Sequence, residues 1–205
     1  MSGHFTSLLN ADASVPEDAI PVSVLTGFLG SGKTTLLNRL LALPDLRGTA
    51  VVVNEFGEVG IDHDLIAQAR EDVVLLDNGC MCCAVRTDLV EALGRLASAS
   101  PRPRRVLIET SGLAEPAPIV HTLLREPALK ARFALAGVAC TVDAVLGART
   151  LDAHPEAVRQ VALADDLFLT KTVYSVLLAI LVGWALVVQV LKQDEGTPRM
   201  QEIAR

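Results

Sequence analysis

The chain has 205 residues, 51% of them hydrophobic and only 3% aromatic, and a formal net charge of −6 at pH 7. That length suits one α/β domain plus an appendage, with a core of Leu, Val, Ile and Ala. The acidic balance argues against a nucleic-acid partner, which needs a basic footprint.

The first 21 residues carry Asp12, Glu17 and Asp18. They lack a basic start followed by an apolar run, so they read as a short flexible leader rather than a signal peptide. Residues 22–26 form an apolar run ending in a glycine loop. Residues 34–43 have the leucine spacing of a helix and stop before Pro44. Residues 49–53 and 73–76 read as short buried strands. A helix is expected over 87–96, with Leu89, Leu93 and Leu96 on one face. Residues 105–108 form another strand, with a helix following near 119–124. Two more strands, 135–142 and 167–170, flank a helical stretch around 156–163. Strands alternating with helices predict a doubly wound, mostly parallel sheet with helices on both faces. Beyond Thr172, residues 173–191 carry no charge, and 192–205 form a polar tail.

The first glycine loop matches G-x-x-x-x-G-K-[ST], from Gly27 through Gly30, Ser31 and Gly32 to Lys33 and Thr34. It lies between an expected strand and an expected helix, the context this phosphate-binding motif requires. The glycines let backbone N–H groups converge on phosphate oxygens, and the helix N-terminus favours an anion. Lys33 should reach the β- and γ-phosphates, and the Thr34 hydroxyl should meet Mg²⁺. A strand leads to Glu109, a candidate Mg²⁺ carboxylate that acts directly or through water. Gly112 then offers a backbone N–H to a γ-phosphate without a side chain in the way. Residues 54–62 are dense in acids and glycines, as a switch segment would be. There Glu55, Glu58 and Asp62 could bind metal, orient water or simply be solvated.

Cys80, Cys82 and Cys83 fall within four positions. Such clustering points to metal or thiol chemistry in a reduced compartment rather than to a disulfide framework. Thiolates favour Zn²⁺, Co²⁺ or Cu(I). Glu58, His63 or water could complete the site, and an open position would suit delivery over permanent binding. Cys140 sits in an apolar run and reads as core. His4, His121 and His154 read as surface or packing residues.

Taken together, GFLGSGKTTLLN, VNEFGEVGID, NGCMCC, ETSGLAEP and LTKT resemble the CobW family of P-loop GTPases, with five motifs in the family's order between residues 22 and 172. The resemblance implies a GTP-hydrolysing domain that uses Mg²⁺ and passes a transition metal, zinc or cobalt in type, to a client metalloprotein in the cytoplasm. Cobalamin biosynthesis is one setting it suggests. It implies catalytic roles for Lys33, Glu109 and Gly112. It implies nucleotide contacts from Gly27, Gly30, Ser31, Gly32, Lys33, Thr34, Thr35, Thr170 and Lys171. Cys80, Cys82 and Cys83 match the family's C-x-C-C metal motif, with Glu58 as a carboxylate partner.

One position departs from the family pattern. The guanine motif [NT]-K-x-D reads Thr170-Lys171-Thr172-Val173. The missing carboxylate would accept two hydrogen bonds from guanine, each worth about 1.5–3 kcal/mol. Weaker and less selective GTP binding is the expectation, and a catalytically weak nucleotide- and metal-binding remnant is the alternative function. A P-loop kinase or ATPase would leave the cysteines without a role. The resemblance also stops here, giving the expectation of a truncated GTPase domain over 22–172. The apolar run 173–191 is then a product of frameshift or recombination, a tail anchor in a membrane, or a buried helix. About 17–25 apolar residues suffice to span a bilayer.

Overall fold

The computed structural model describes residues 16, 18–54, 73–75, 84–172, 176, 177 and 180–184. The chain divides into two compact units, Met1–Thr170 and Lys171–Arg205.

Among the described residues the first unit has six strands: β1 (Ile20–Gly27), β2 (Thr49–Asn54), β3 (Val73–Leu75), β4 (Arg105–Thr110), β5 (Phe133–Asp143) and β6 (Asp166–Thr170). Its described helices are α1 (Lys33–Leu41), α2 (Ala84–Ala97), α3 (Ala117–Arg125), α4 (Pro127–Lys130), α5 (Gly147–Ala153) and α6 (Pro155–Leu163). A 3₁₀ turn spans Pro44–Leu46. The strands form one sheet in the order β3-β2-β4-β1-β5-β6. Every pairing is parallel. The doubly wound α/β fold expected from the alternation is the one observed.

Side-chain alternation explains the two faces. Successive residues of a strand point to opposite sides of the sheet. Val22, Val24, Ala50, Val52, Val106 and Ile108 accordingly join one core with Leu89, Leu93 and Leu96 of α2 and Ile119 and Leu123 of α3. Their neighbours Leu25, Val51, Val53 and Leu107 join a second core with Leu37, Leu40 and Leu41 of α1 and Leu46. Parallel strands covered on both faces read as continuous apolar runs. Each fully buried Leu or Val contributes about 1.5–3 kcal/mol relative to exposure.

Several boundaries differ from those expected. β4 continues past Ile108 because Glu109 and Thr110 still pair with Val53 and Asn54 of β2. The helices α4 and α5 and the 3₁₀ turn have no counterpart in the sequence reading. They are short, and α5 opens on a glycine, so neither gives a periodic apolar signal. In the second unit, residues 176, 177 and 180–184 are helical, with exposed Val176, Leu177, Ile180, Leu181 and Trp184. Among the described residues no helix is long and apolar enough to cross a membrane.

Candidate nucleotide site

In an all-parallel sheet the strands end along one edge, where α/β folds bind ligands. Here β1, β4, β5 and β6 deliver Gly27, Thr110, Asp143 and Thr170 to that edge. The phosphate loop leaves β1 and closes onto α1, whose N-cap is Gly32 with φ 92. No side chain caps this helix and its first turn has no acid. Its leading N–H groups therefore suit an external anion.

Gly27 marks where the loop presses on the sheet. Its φ is 142, and a Cβ there would lie 2.5 Å from the Thr141 carbonyl oxygen and 2.8 Å from Ser31 Oγ. Only a hydrogen fits, and the backbone conformation favours glycine as well. Lys33 is buried, and its Nζ donates to the carbonyl oxygens of Gly27 at 2.9 Å and Phe28 at 3.2 Å. The ammonium thus lies across the loop that would receive phosphates.

Thr34 and Glu109 come together from α1 and β4. The Thr34 hydroxyl donates to Glu109 Oε1 at 2.7 Å, and Glu109 is buried. A hydroxyl and a carboxylate side by side are hard oxygen donors, which fit Mg²⁺ rather than a thiophilic ion. Gly112 reaches the loop from β4's far end. A Cβ on it would meet the Leu29 backbone N at 2.8 Å and Cα at 2.9 Å.

Thr170 closes the site from β6. Its hydroxyl lies 2.6 Å from the Ser31 carbonyl oxygen, and its side chain packs against Gly32. Thr35 is exposed on the first turn of α1, and Lys171 opens the second unit with φ 56. His4, Glu55, Glu58, Asp62, His63, Cys80, Cys82, Cys83 and Val173 lie outside the described residues.

A buried chain of hydroxyls beneath the loop escaped the sequence reading. Thr110 donates to Thr26 Oγ1 at 2.9 Å, Thr141 donates to the Thr26 carbonyl at 3.3 Å, and Ser31 and Thr141 share a 2.7 Å hydroxyl contact. These bonds tie the tips of β1, β4 and β5 to the loop. The only signal for them was a threonine at the end of each apolar run. Cys140 is buried beside them as expected, and burial pushes its thiol up to about 11 despite the nearby Lys33 charge. His154, expected to be a surface or packing residue, is exposed and stacks on Phe28 of the loop with ring centroids 4.5 Å apart.

The family model for the CobW/HypB/UreG nucleotide-binding domain matches residues 21–175. The zinc chaperone YjiA of Escherichia coli is 40% identical over 157 residues, covering 75% of this chain and 49% of its own length. The zinc-regulated GTPase metalloprotein activator 1 of Schizosaccharomyces pombe is 37% identical over 165 residues, covering 76% of this chain and 39% of its own. The crystal structure of Zn(II)-bound YjiA GTPase from E. coli superposes with a TM-score of 0.53 at 34% identity, over 75% of this chain and 50% of that one. The chain spans about half the length, or less, of these curated relatives. The family model covers about three quarters of the sequence and the YjiA match is 40% identical over a similar span, so the chain belongs to the CobW family of P-loop GTPases.

Proposed function

We propose that this chain binds and hydrolyses GTP and couples that cycle to handing a transition metal, zinc before cobalt, to a client metalloprotein. The observation that carries the reading is the 2.7 Å contact between Thr34 and Glu109 beside a buried, loop-bound Lys33. The zinc chaperones among the relatives favour zinc as cargo.

In this reading the loop amides and the N-terminus of α1 bind the phosphates, and Lys33 spans the β- and γ-phosphates. Thr34 and Glu109 would hold Mg²⁺, which when bound neutralises charge developing on the phosphate oxygens. Gly112 offers its N–H to the γ-phosphate, so the loop after β4 senses hydrolysis. Cys80, Cys82 and Cys83, with Glu58 as a fourth donor, would carry the cargo metal. Their affinity should change with nucleotide state, and linkage makes metal alter nucleotide affinity by the same factor.

The test is a nucleotide titration with Mg²⁺, followed by turnover with and without Zn²⁺. Metal-responsive GTP hydrolysis is expected, and Lys33→Ala should lower it about 10²–10³-fold, the range for removing one donor to a developing charge. Absence of turnover with every nucleotide and metal would sink the GTPase reading. Equal Zn²⁺ affinity in the GTP and GDP states would sink the coupling.

A second reading rests on Val173, which replaces the guanine-reading aspartate. It makes the chain a catalytically weak nucleotide- and metal-binding form that does not select GTP over ATP. Recovery of GTP selectivity by Val173→Asp supports this reading, whereas tight, selective GTP binding by the native chain removes it.

A further inference from the structure

Among the described residues Gln160, on α6, is the largest polar side chain that is fully buried. Its Nε2 donates to the carbonyl oxygens of both Gly112 and Ala114, each at 3.0 Å. Carbonyls only accept, so this geometry fixes which end of the amide faces the loop. Its Oε1 is buried with no hydrogen-bond partner among the described residues. An apolar residue would avoid that cost but leave two loop carbonyls without their donor, so the amide serves the loop rather than the packing of α6. The preceding residue grips the same loop from the surface: Arg159 Nε lies 2.7 Å from Glu115 Oε1. The loop also has its own turn, with the Ala114 N–H donating to the Ser111 carbonyl at 3.1 Å.

From this arrangement we infer that Gln160, seconded by Arg159, is a latch that positions Gly112 for the γ-phosphate. The inference rests on the nucleotide reading above and names a positioning residue for it. Gly112 must be glycine because Leu29 of the phosphate loop sits against it. Glycine is also the residue with the most backbone freedom to lose. Two donors from a rigid helix, one on the carbonyl of Gly112 and one two residues later, remove that freedom in advance. The N–H of Gly112 is then held in place before nucleotide arrives, and ordering it costs the triphosphate state less. A diphosphate does not use that N–H and gains nothing from the latch.

The experiment uses the full chain and three variants: Gln160→Leu, Gln160→Glu, which when ionised can only accept and when protonated has a single donor for the two carbonyls, and the surface change Arg159→Ala. Two readouts are taken: amide hydrogen exchange across residues 111–117 without nucleotide, and affinity for GDP and for a non-hydrolysable GTP analogue. Both Gln160 variants should speed exchange in that segment and weaken the analogue about tenfold, the equivalent of one to two neutral hydrogen bonds. β4 exchange and GDP affinity should stay put, and Arg159→Ala should show the same pattern more weakly. Unchanged exchange at 111–117 in all three would overturn the latch. So would analogue and GDP affinities falling together, which is the mark of general destabilisation. If the native chain binds neither nucleotide, the nucleotide reading fails and the exchange data alone judge the latch. Should Gln160→Leu not fold, Gln160→Glu and Arg159→Ala decide the same question.

Discussion

The centre of the sheet and its β6 edge are made of similar residues yet are built differently. β1 is buried along nearly all its length, and its side chains feed two cores at once. β6 alternates: Phe168 packs inward on the second core, whereas Leu167 and Leu169 are 54% and 64% exposed. The phosphate loop leaves the first kind of strand, and Thr170 ends the second. Geometry that must hold to fractions of an ångström is thus mounted on fully packed backbone. The edge is held to it by a polar tether, the contact between Thr170 and Ser31.

The sharpest way to break this contrast is at Leu37, fully buried in the second core on the helix that follows the phosphate loop. Leu37→Ala should lower unfolding free energy by about 2–5 kcal/mol, measured by urea denaturation. Gly112→Ala follows, because its methyl would drive into the Leu29 backbone. A cost of about 1–3 kcal/mol is expected, as for overpacking elsewhere, with a fall in γ-phosphate discrimination read from analogue and GDP affinities. On the edge, Thr170→Val removes a hydroxyl donor and keeps the shape, so about 0.5–1.5 kcal/mol should be lost. Its neighbour Leu169→Ala should stay within about 0.5 kcal/mol, as exposed positions do. If Leu169→Ala cost as much as Leu37→Ala, the two regions would not differ as described.

The smallest effect at neutral pH belongs to Cys140. Its folded thiol titrates at about 11, above the ordinary value of 9.0. A raised acid pKa means the unfolded chain releases its proton first, so this contribution is whole below pH 9 and is lost as pH rises through 11. Denaturation midpoints should decline over that window in the native chain and decline less in Cys140→Ala. An identical slope in both would show that burial does not set this thiol's titration.

The same contrast decides what could be read from sequence. The glycine–lysine loop was legible because its chemistry demands fixed spacing, and the strands flanking it because both faces are buried. Leu89, Leu93 and Leu96 gave away α2 by helical period. Glu109 was visible as an acid at the end of an apolar run. Gln160 was not, since a polar residue on an amphipathic helix normally faces water, and only the packing of α6 against the loop buries it. Thr26, Thr110 and Thr141 were hidden for a related reason: a hydroxyl inside a strand passes for a small β-former until its partner, 84 or 115 positions away, is known. The exposed leucines of β6 were misleading in the other direction. An apolar run reports β-propensity and does not say how many faces are covered.

The sheet order has a consequence for how the protein is made. β1 pairs only with β4 and β5, placing Val22 beside Val106 and Ile20 beside Phe133. Synthesis delivers the phosphate-loop strand first, yet its neighbours are the fourth and fifth of the six described strands. Until β4 emerges from the ribosome, β1 is an apolar segment with no ladder to join, and β4 is also what connects it to β2. Such non-local parallel pairing is slow and leaves hydrophobic strand exposed in the interim. Ser31 of the loop and Thr26 at the end of β1 both bond to Thr141, so these supports of the phosphate loop form only once β5 has been added.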